Sequence, residues 1–147
     1  SSAHSAKAAE IAANPGMALA YTWPAMFRAI RFRGTAEPID DDELEAYWRT
    51  RPYGSQIAAC ASVQSHPIGS RAELEQQFVM WAARYPDRGA QHAVPVPEDF
   101  CGWRVRPDEV EFWAGRRSRL HDRIVFTRVG DGSLDDAVSW EMSRRQP

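Results

Sequence analysis

The chain has 147 residues, and its 18 Lys plus Arg against 20 Asp plus Glu give a formal net charge of -2. This balance argues against general nucleic-acid binding, which needs a strongly basic surface. Hydrophobic residues make up 44% and aromatic residues 11% of the chain, which excludes a disordered protein and predicts one globular domain with a real core.

Cysteine and histidine usage predicts neither a metal site nor a disulfide framework. Cys60 and Cys101 form no CxxC motif, and the four histidines show no ligand spacing; they are His4, His66, His92 and His121. No apolar run approaches the roughly 20 residues of a membrane-spanning helix, and no signal peptide is visible. By elimination, we expect a reducing, cytoplasmic location.

The first predicted element is a short helix, Ala6–Ala13, with Ser5 as its N-cap. Lys7 lies in its first turn, where a cation opposes the helix dipole. Backbone N–H groups at a helix start also favour a phosphate, so Lys7 could bind an anion together with them. The alternative is a lysine that contacts only solvent.

A hairpin follows, with strands Met17–Trp23 and Phe27–Gly34 joined at Pro24-Ala25. The first strand is almost continuously apolar, and the second alternates only loosely. The segment Thr35–Ile39 is expected to continue the second strand in extended conformation.

Two consecutive helices predict a phosphate pocket. The first begins at Asp40–Asp42 and places Tyr47 and Arg51, four residues apart, on one face. The second, Gln56–Val63, begins with the hydroxyl of Ser55. A guanidinium, hydroxyls and free amides at a helix start suit a phosphate. The alternative is an ordinary capping serine beside a surface arginine.

The longest predicted helix is Arg71–Tyr85, in which Ser70 and Glu73 form a capping box. Its apolar stripe is assigned to packing and consists of Leu74, Phe78, Trp81 and Ala82. The proline-bearing segment Pro86–Pro97 is interpreted as a connector.

The C-terminal third reads as short strands separated by turns at Pro107-Asp108, at Ala114–Ser118 and around Asp131. These strands are Phe100–Arg106, Val110–Trp113, Arg119–Thr127 and Ala137–Met142, with Trp140 expected to be buried. Several short strands with helices inserted between them predict a mainly β fold, a barrel-like sheet with helical additions.

The strand Arg119–Thr127 carries the chemistry, because alternate residues share a face. Arg119, His121 and Arg123 would lie together, opposite a buried face of Leu120, Ile124 and Phe126. Guanidinium groups suit phosphates, carboxylates and aromatic rings, and His121 can give or take a proton near neutral pH. The alternative is the ordinary polar face of an antiparallel strand.

The string Trp113, then Arg119-Leu120-His121-Asp122-Arg123, resembles the C-terminal signature of the pyridoxine/pyridoxamine 5′-phosphate oxidases, which are FMN enzymes. Other stretches are similar to that family in the same order and span nearly the whole chain. They are Ser5-Ala6-Lys7, Tyr47…Arg51-Pro52…Ser55-Gln56-Ile57, Gln64-Ser65…Ile68…Ser70-Arg71, Gly102-Trp103-Arg104-Val105, Glu111-Phe112-Trp113 and Trp140…Arg144…Pro147.

The resemblance implies a single split β-barrel domain over residues 1–147 and a homodimer with FMN at the interface. It implies that FMN is held by Lys7, Gln64, Ser65, Trp113 and Arg123. It further implies that Tyr47, Arg51 and Ser55 hold the substrate phosphate. The catalytic pair over the pyridine ring would be Arg119 and His121.

The implied reaction oxidises pyridoxamine or pyridoxine 5′-phosphate to pyridoxal 5′-phosphate while O2 becomes H2O2, a step of vitamin B6 biosynthesis and salvage. One alternative is a related FMN oxidase acting on a tricyclic intermediate of phenazine biosynthesis. Another is a flavin-binding protein without catalysis. The sequence does not rank pyridoxine phosphate against pyridoxamine phosphate.

Three positions depart from the family pattern: Ala29 stands where glutamine is usual, Ala6 where some members have arginine, and Arg145 where the closing leucine stands. The first two bear on flavin affinity. Because family members run longer, we also expect the native protein to extend further at the N-terminus, with strands of the family that this chain lacks.

Overall fold

The computed structural model describes residues 1–89 and 94–147. Residues 90–93, which include His92 and part of the predicted connector Pro86–Pro97, lie outside the described residues. The helices are α1 Ala6–Ala13, α2 Asp41–Thr50, α3 Tyr53–Ala61 and α4 Arg71–Arg84. The strands are β1 Gly16–Trp23, β2 Arg28–Pro38, β3 Trp103–Ala114, β4 Asp122–Arg128 and β5 Trp140–Arg144.

The chain divides into two compact units. The helical unit comprises residues 1–14 and 38–104, and the sheet unit comprises residues 15–37 and 105–147. The prediction of a single domain over residues 1–147 stays a prediction.

Helix starts in the helical unit follow the predicted caps. The Ser5 side chain accepts from the backbone N–H of Ala8, and the Asp40 carboxylate accepts from that of Glu43. The Ser70 hydroxyl accepts from the Glu73 N–H at 3.1 Å. The capping box is wrong in one detail, because the Glu73 carboxylate accepts from Gly69, one residue before the cap.

The core of the helical unit forms around Trp48, Ile57, Val94 and Phe100. The indole N–H of Trp48 donates to the backbone carbonyl of Val94 at 3.0 Å, so burial leaves this donor satisfied. Helix α4 packs against this core through Phe78, Trp81 and Ala82, as its stripe predicts. Leu74, the fourth stripe residue, is 38% exposed.

The sheet unit contains a five-stranded sheet in the order β1-β2-β3-β4-β5. The predicted hairpin is confirmed: β1 and β2 pair antiparallel from Gly16 opposite Thr35 to Trp23 opposite Arg28. A 3₁₀ turn, Pro24–Met26, connects them. Strand β4 pairs antiparallel with both β3 and β5.

The predicted turn at Pro107-Asp108 is wrong, because β3 runs unbroken through it. Proline removes a donor but is compatible with an extended chain where its nitrogen is not needed in the ladder. The last strand also differs: residues Ala137–Ser139 form a 3₁₀ turn, β5 follows it, and Trp140 is only half-buried.

Strand β2 approaches β3 closely at Gly34. A Cβ atom added there would lie 1.9 Å from the carbonyl oxygen of Arg106 and 2.8 Å from Cα of Pro107. Only glycine permits this approach, since both clashing atoms belong to the backbone.

We therefore expect Gly34→Ala to lower the free energy of unfolding by about 2 kcal/mol or more. Urea unfolding measures this. The control is Gly54→Ala in the first turn of α3, where an added Cβ meets no atom within 4 Å. That change should be neutral or stabilising by up to about 1 kcal/mol. Equal stability of the two variants would refute the close-approach explanation.

Candidate functional site

A cavity of about 490 Å³ in the helical unit brings four predicted site residues together: Lys7, Arg51, Ser55 and Gln64. Its volume lies in the range of small-molecule sites. Its wall adds hydroxyl groups and one carboxylate; these residues are Ser1, Ser2, Ser62 and Asp99.

Arg51 follows α2 as its C-cap, and aromatic rings surround its guanidinium group. The guanidinium carbon lies 5.9 Å from the ring centre of Tyr47, 5.6 Å from Trp48 and 5.5 Å from Phe100. Nη2 donates to the backbone carbonyl of Ser55 at 3.0 Å. Among residues 1–89 and 94–147, its buried Nε has no hydrogen-bond partner. Such a fixed cation with an unused donor is suited to an anion.

Ser55 lies in the first turn of α3 and is not its cap. The helix begins at Tyr53, and Pro52 occupies the N-cap position without a side-chain cap. The amides of Ser55 and Gln56 already donate to the Pro52 carbonyl, at 2.9 and 3.1 Å. The expectation that these amides remain available for a phosphate is therefore wrong, and Ser55 has its side-chain hydroxyl left as a donor.

Lys7 and Gln64 are joined through a serine. The Lys7 ammonium donates to the Ser1 hydroxyl at 2.8 Å, and that hydroxyl donates to Gln64 Oε1 at 3.0 Å. The Ser2 amide donates to the same oxygen at 3.0 Å. Since the amide oxygen of Gln64 is used within the protein, its NH₂ group and the Lys7 ammonium are the groups suited to an incoming acceptor.

Ser65, the neighbour of Gln64, has a left-handed backbone with φ 69°. It lines a second cavity, of about 350 Å³, which also includes Gln64 and His66. A left-handed conformation in a residue other than glycine is strained and concentrates at binding loops. The backbone conformation therefore indicates that Ser65 is held in a fixed position at the cavity wall.

The sheet unit brings three predicted residues together. Trp113 on β3 is paired with Arg123 on β4. The His121 ring lies 4.9 Å from the Trp113 ring, centre to centre, with the planes tilted by 50°. His121 directly precedes β4, and so it lies at the end of the strand pair.

Arg119 does not share a strand face with His121 and Arg123, which corrects the prediction. The chain at 117–119 is a 3₁₀ turn, and Ser118 and Arg119 both have positive φ, 59° and 62°. Strand β4 starts only at Asp122, so period-two spacing does not extend back to Arg119.

The predicted buried face of this strand is wrong at Leu120, which is 71% exposed. Ile124 and Phe126 are half-buried, whereas Val125, on the same side as Arg123, is fully buried. The face that carries Arg123 is therefore an interior face. A partly buried guanidinium there is stabilised by a carboxylate partner.

That partner is Glu111, whose position beside Arg123 the sequence did not predict. Glu111 is 3% exposed and accepts from Arg123 Nη2 at 2.6 Å. Arg31 lies 3.6 Å and Arg145 3.9 Å from its carboxylate oxygens. Arg123 also donates to the carbonyl of Gln146 at 3.2 Å. Arg123 is thus held in one orientation from two sides.

The signal for this network was present as alternate charges on two strands: arginines at 31 and 33 and glutamates at 109 and 111. Period-two spacing puts each pair on one sheet face, and opposite charges attract across strands. Glu109 has a bidentate partner in Arg145 and lies 3.7 Å from Arg33.

Arg145 lowers the pKa of Glu109, mainly through the side-chain hydrogen bond, with Coulomb attraction from Arg145, Arg33 and Arg31 adding to it. A carboxyl whose pKa is lowered in the folded state contributes stability above its unfolded pKa. That contribution is lost as the pH falls through the folded value.

We therefore expect Arg145→Leu to lose less stability than the wild type between neutral and acid pH, because Glu109 then titrates nearer its ordinary value. Urea unfolding at both pH values measures this. The control is Arg71→Leu, which removes an exposed i,i+4 pair with Glu75 in the helical unit. If the wild type and Arg145→Leu lose the same free energy of unfolding between neutral and acid pH, Arg145 does not lower the pKa of Glu109.

The turn before β4 is fixed by contacts to His121 and Asp122. The backbone N–H of Arg116 donates to His121 Nδ1 at 3.1 Å. The Asp122 carboxylate accepts from Arg116 Nε and from Arg144 Nη1, both at 2.6 Å. These two guanidinium groups, Arg116 first, lower the pKa of Asp122, so it stays charged to a lower pH than an ordinary aspartate.

Within residues 1–89 and 94–147, no cluster of three or more His, Cys, Asp or Glu side chains could hold a metal ion. Burial raises the pKa of the free thiols of Cys60 and Cys101. Of the helices described, none has the length and apolar character to cross a membrane.

Family models match the whole chain. The model described as "Pyridoxamine 5'-phosphate oxidase" matches residues 1–114, and "Pyridoxine 5'-phosphate oxidase C-terminal dimerisation region" matches residues 100–147. A protein of Kineococcus radiotolerans named "Pyridoxine/pyridoxamine 5'-phosphate oxidase" is 46% identical over 144 residues, 97% of this chain and 65% of the relative. One from Streptomyces avermitilis with the same name is 45% identical over 97% of this chain and 60% of its own length. The chain thus spans about 60–65% of these relatives.

Two solved structures share the fold. PhzG from Burkholderia lata 383, in complex with tetrahydrophenazine-1-carboxylic acid, superposes with a TM-score of 0.84 at 26% identity, covering 100% of this chain and 66% of that one. A pyridoxamine 5′-phosphate oxidase-related, FMN binding protein of Nostoc punctiforme has a TM-score of 0.68 at 18% identity, with 100% and 71% covered, which shows the fold alone. The matches to both family models and to the curated relatives show that the chain belongs to the pyridoxamine 5′-phosphate oxidase family.

Proposed function

We propose that the protein is an FMN-dependent oxidase that converts pyridoxamine or pyridoxine 5′-phosphate to pyridoxal 5′-phosphate. Two electrons and two protons pass from the substrate to O2, which becomes H2O2. With pyridoxamine phosphate, one water is consumed and ammonia is released. The observation that carries the proposal is the cavity of the helical unit, which gathers Lys7, Arg51, Ser55 and Gln64 in a chain of this family.

The donors in this cavity fit two anionic ligands. Arg51 offers a fixed guanidinium with an unused buried Nε, and Ser55 offers a hydroxyl beside it. These two groups, with Tyr47 against the guanidinium, would hold the substrate phosphate. Lys7 and the NH₂ group of Gln64, with Ser65 next to it, would hold FMN.

In the sheet unit, Trp113 and Arg123 would also bind FMN, with Arg123 held by Glu111. FMN, when bound, supplies the redox chemistry as an acceptor of hydride, and the protein supplies orientation and electrostatics. Arg119 and His121 would orient the substrate ring. The strained backbone of Arg119 fixes the direction from which its side chain leaves the turn.

We further propose a split-barrel fold and a homodimer with FMN at the interface, in the cytoplasm. The matched dimerisation region, residues 100–147, supports the dimer. Large apolar side chains are exposed on the sheet unit, where Tyr21, Trp23, Phe112 and Met142 are 55%, 44%, 44% and 66% exposed, and the proposed dimer would bury them.

The test is whether the enzyme prefers a substrate that carries a phosphate group over the same substrate without it. We expect kcat/KM of the full-length protein with FMN to be at least about 100-fold higher for pyridoxamine phosphate than for pyridoxamine, because the charged hydrogen bonds from Arg51 and Ser55 are lost without phosphate. Equal values for the two amines would contradict a phosphate pocket that serves catalysis.

A second candidate is an FMN oxidase acting on a tricyclic phenazine intermediate. The TM-score of 0.84 to PhzG, which was solved with tetrahydrophenazine-1-carboxylic acid, favours it. A third is a flavin-binding protein without catalysis, for which the alanine at position 29 remains the argument. Turnover of the tricyclic compound but not of pyridoxamine phosphate selects the second, and bound flavin without turnover of either selects the third.

A further inference from the structure

The hydrogen bond between Arg116 and His121 identifies the protonated nitrogen of the imidazole. A backbone N–H can only donate, and Arg116 N lies 3.1 Å from Nδ1 of His121. Nδ1 must therefore carry a lone pair. Since a neutral imidazole holds one N–H proton, that proton is on Nε2.

The turn that supplies this N–H is fixed at both ends. Arg116 Nε and Arg144 Nη1 each bind one oxygen of Asp122, the residue after His121, at 2.6 Å. Asp122 is ionised at neutral pH, and these contacts lower its pKa further. On another side the ring packs against Trp113, 4.9 Å away. Ring position and tautomer are thus set together.

Nε2 is the ring atom left for a ligand. Across residues 1–89 and 94–147, Nδ1 makes the only hydrogen bond of the His121 side chain, the one from Arg116. To accept a proton at Nε2, the neutral ring would need its proton on Nδ1, and that N–H would then face the Arg116 N–H. Two donors facing each other in a fixed turn lose a hydrogen bond and repel.

We propose that the turn from Arg116 fixes His121 as the Nε2–H tautomer, which makes His121 a hydrogen-bond donor to an acceptor atom of the substrate and excludes it as the base. This inference rests on the proposed oxidase function, within which it assigns the direction of one hydrogen bond. Arg116 and Asp122 are positioning residues in this arrangement. The proton released on oxidation leaves through another group or solvent.

The first test does not depend on activity. The full-length protein, labelled with ¹⁵N-histidine, is examined by long-range ¹H–¹⁵N NMR at a pH where the ring is neutral, before and after addition of FMN. His121→Ala assigns the signals. We expect a protonated Nε2 and a bare Nδ1; a protonated Nδ1, or an average of the two tautomers, would overturn the proposal even if the enzyme is active.

Asp122→Asn tests the positioning residues in the same spectrum. We expect the two nitrogen signals to move toward each other, because the turn loses one end of its anchor. The matched control is Arg117→Leu, which changes an exposed arginine of the same turn and should leave both signals in place. No response to Asp122→Asn would show that the ion pairs do not set the tautomer.

The second test compares two amide replacements in turnover. The side-chain NH₂ of glutamine reaches the position of Nε2, whereas asparagine reaches only that of Nδ1. If His121 donates from Nε2, His121→Gln should retain roughly tenfold more kcat than His121→Asn, the worth of about one hydrogen bond. Equal losses would contradict the donor role. If the wild type shows no turnover, the proposed function fails, and the NMR measurement still decides the tautomer.

Discussion

Replacing Arg51 by leucine should raise the KM for pyridoxamine phosphate by roughly 100-fold, with a smaller effect on kcat. Charge-assisted hydrogen bonds to a phosphate contribute about 1.5–3 kcal/mol, and 1.4 kcal/mol corresponds to a factor of ten. The phosphate is remote from the reacting carbon, so its binding is shared by ground state and transition state, and its loss appears in KM.

Because Arg51 also lies against Trp48 and Phe100 of the core, the leucine variant must be shown to be folded. Arg51→Lys provides a second test. It keeps the charge but loses the planar fork, so an intermediate KM is expected. Steady-state kinetics with FMN saturating measures both variants.

The matched control is Arg49→Leu, two residues earlier on α2, which removes only an exposed ion pair with Glu45. Its kinetic constants should equal those of the wild type, since exposed i,i+4 pairs contribute little. If Arg51→Leu binds pyridoxamine phosphate as tightly as the wild type, Arg51 does not hold the substrate phosphate.

Replacing Glu111 by glutamine should lower the free energy of unfolding by about 3 kcal/mol, the largest stability effect expected for a polar residue of the sheet unit. Glu111 is nearly fully buried, and its carboxylate accepts a hydrogen bond from Arg123 Nη2 at 2.6 Å. Without the charge of Glu111, the partly buried guanidinium of Arg123 keeps only neutral partners. Flavin affinity should fall together with stability, because Arg123 loses its fixed orientation.

Urea unfolding and FMN titration by flavin fluorescence measure the two effects. The control is Glu141→Gln on β5, which changes an exposed carboxylate of the same unit. A double-mutant cycle with Arg123→Gln isolates the pair, and a coupling above about 1 kcal/mol is expected for residues in one buried network. A coupling near zero would mean that Arg123 is positioned by other contacts.

Local rules predicted the elements that depend on neighbouring residues. Ser5, Asp40 and Ser70 cap their helices as expected, and the β1–β2 hairpin forms around Pro24. Such features follow from backbone donors and dihedral preferences within a few residues, which sequence patterns contain directly.

Features that depend on distant residues, or on backbone angles unusual for the residue type, were missed. The strand break expected at Pro107 is absent because β3 is one strand paired with its neighbours. Arg119 leaves the strand because consecutive residues adopt positive φ, which no composition rule indicates for serine and arginine. Glu111 meets Arg123 only after β3 and β4 pair, so its role required the register.

The helical-unit site was predicted more fully than the sheet-unit site. Helical spacing placed Arg51 near Tyr47 and Ser55, and the structure gathers Arg51 and Ser55 in one cavity. The resemblance placed Lys7 and Gln64 together, and the cavity contains both. In the sheet unit, the contact between Trp113 and His121 was not predicted, and the predicted strand face shared by Arg119, His121 and Arg123 did not form.

The most direct test of the central proposal is oxygen-dependent turnover of the full-length protein with FMN and pyridoxamine phosphate, following pyridoxal phosphate and H2O2 in the same reaction. The proposal predicts that both products appear in equal amounts and that neither appears without oxygen or FMN. FMN binding without either product would contradict the proposal. It would favour an oxidase acting on a tricyclic substrate, or a flavin-binding protein without catalysis.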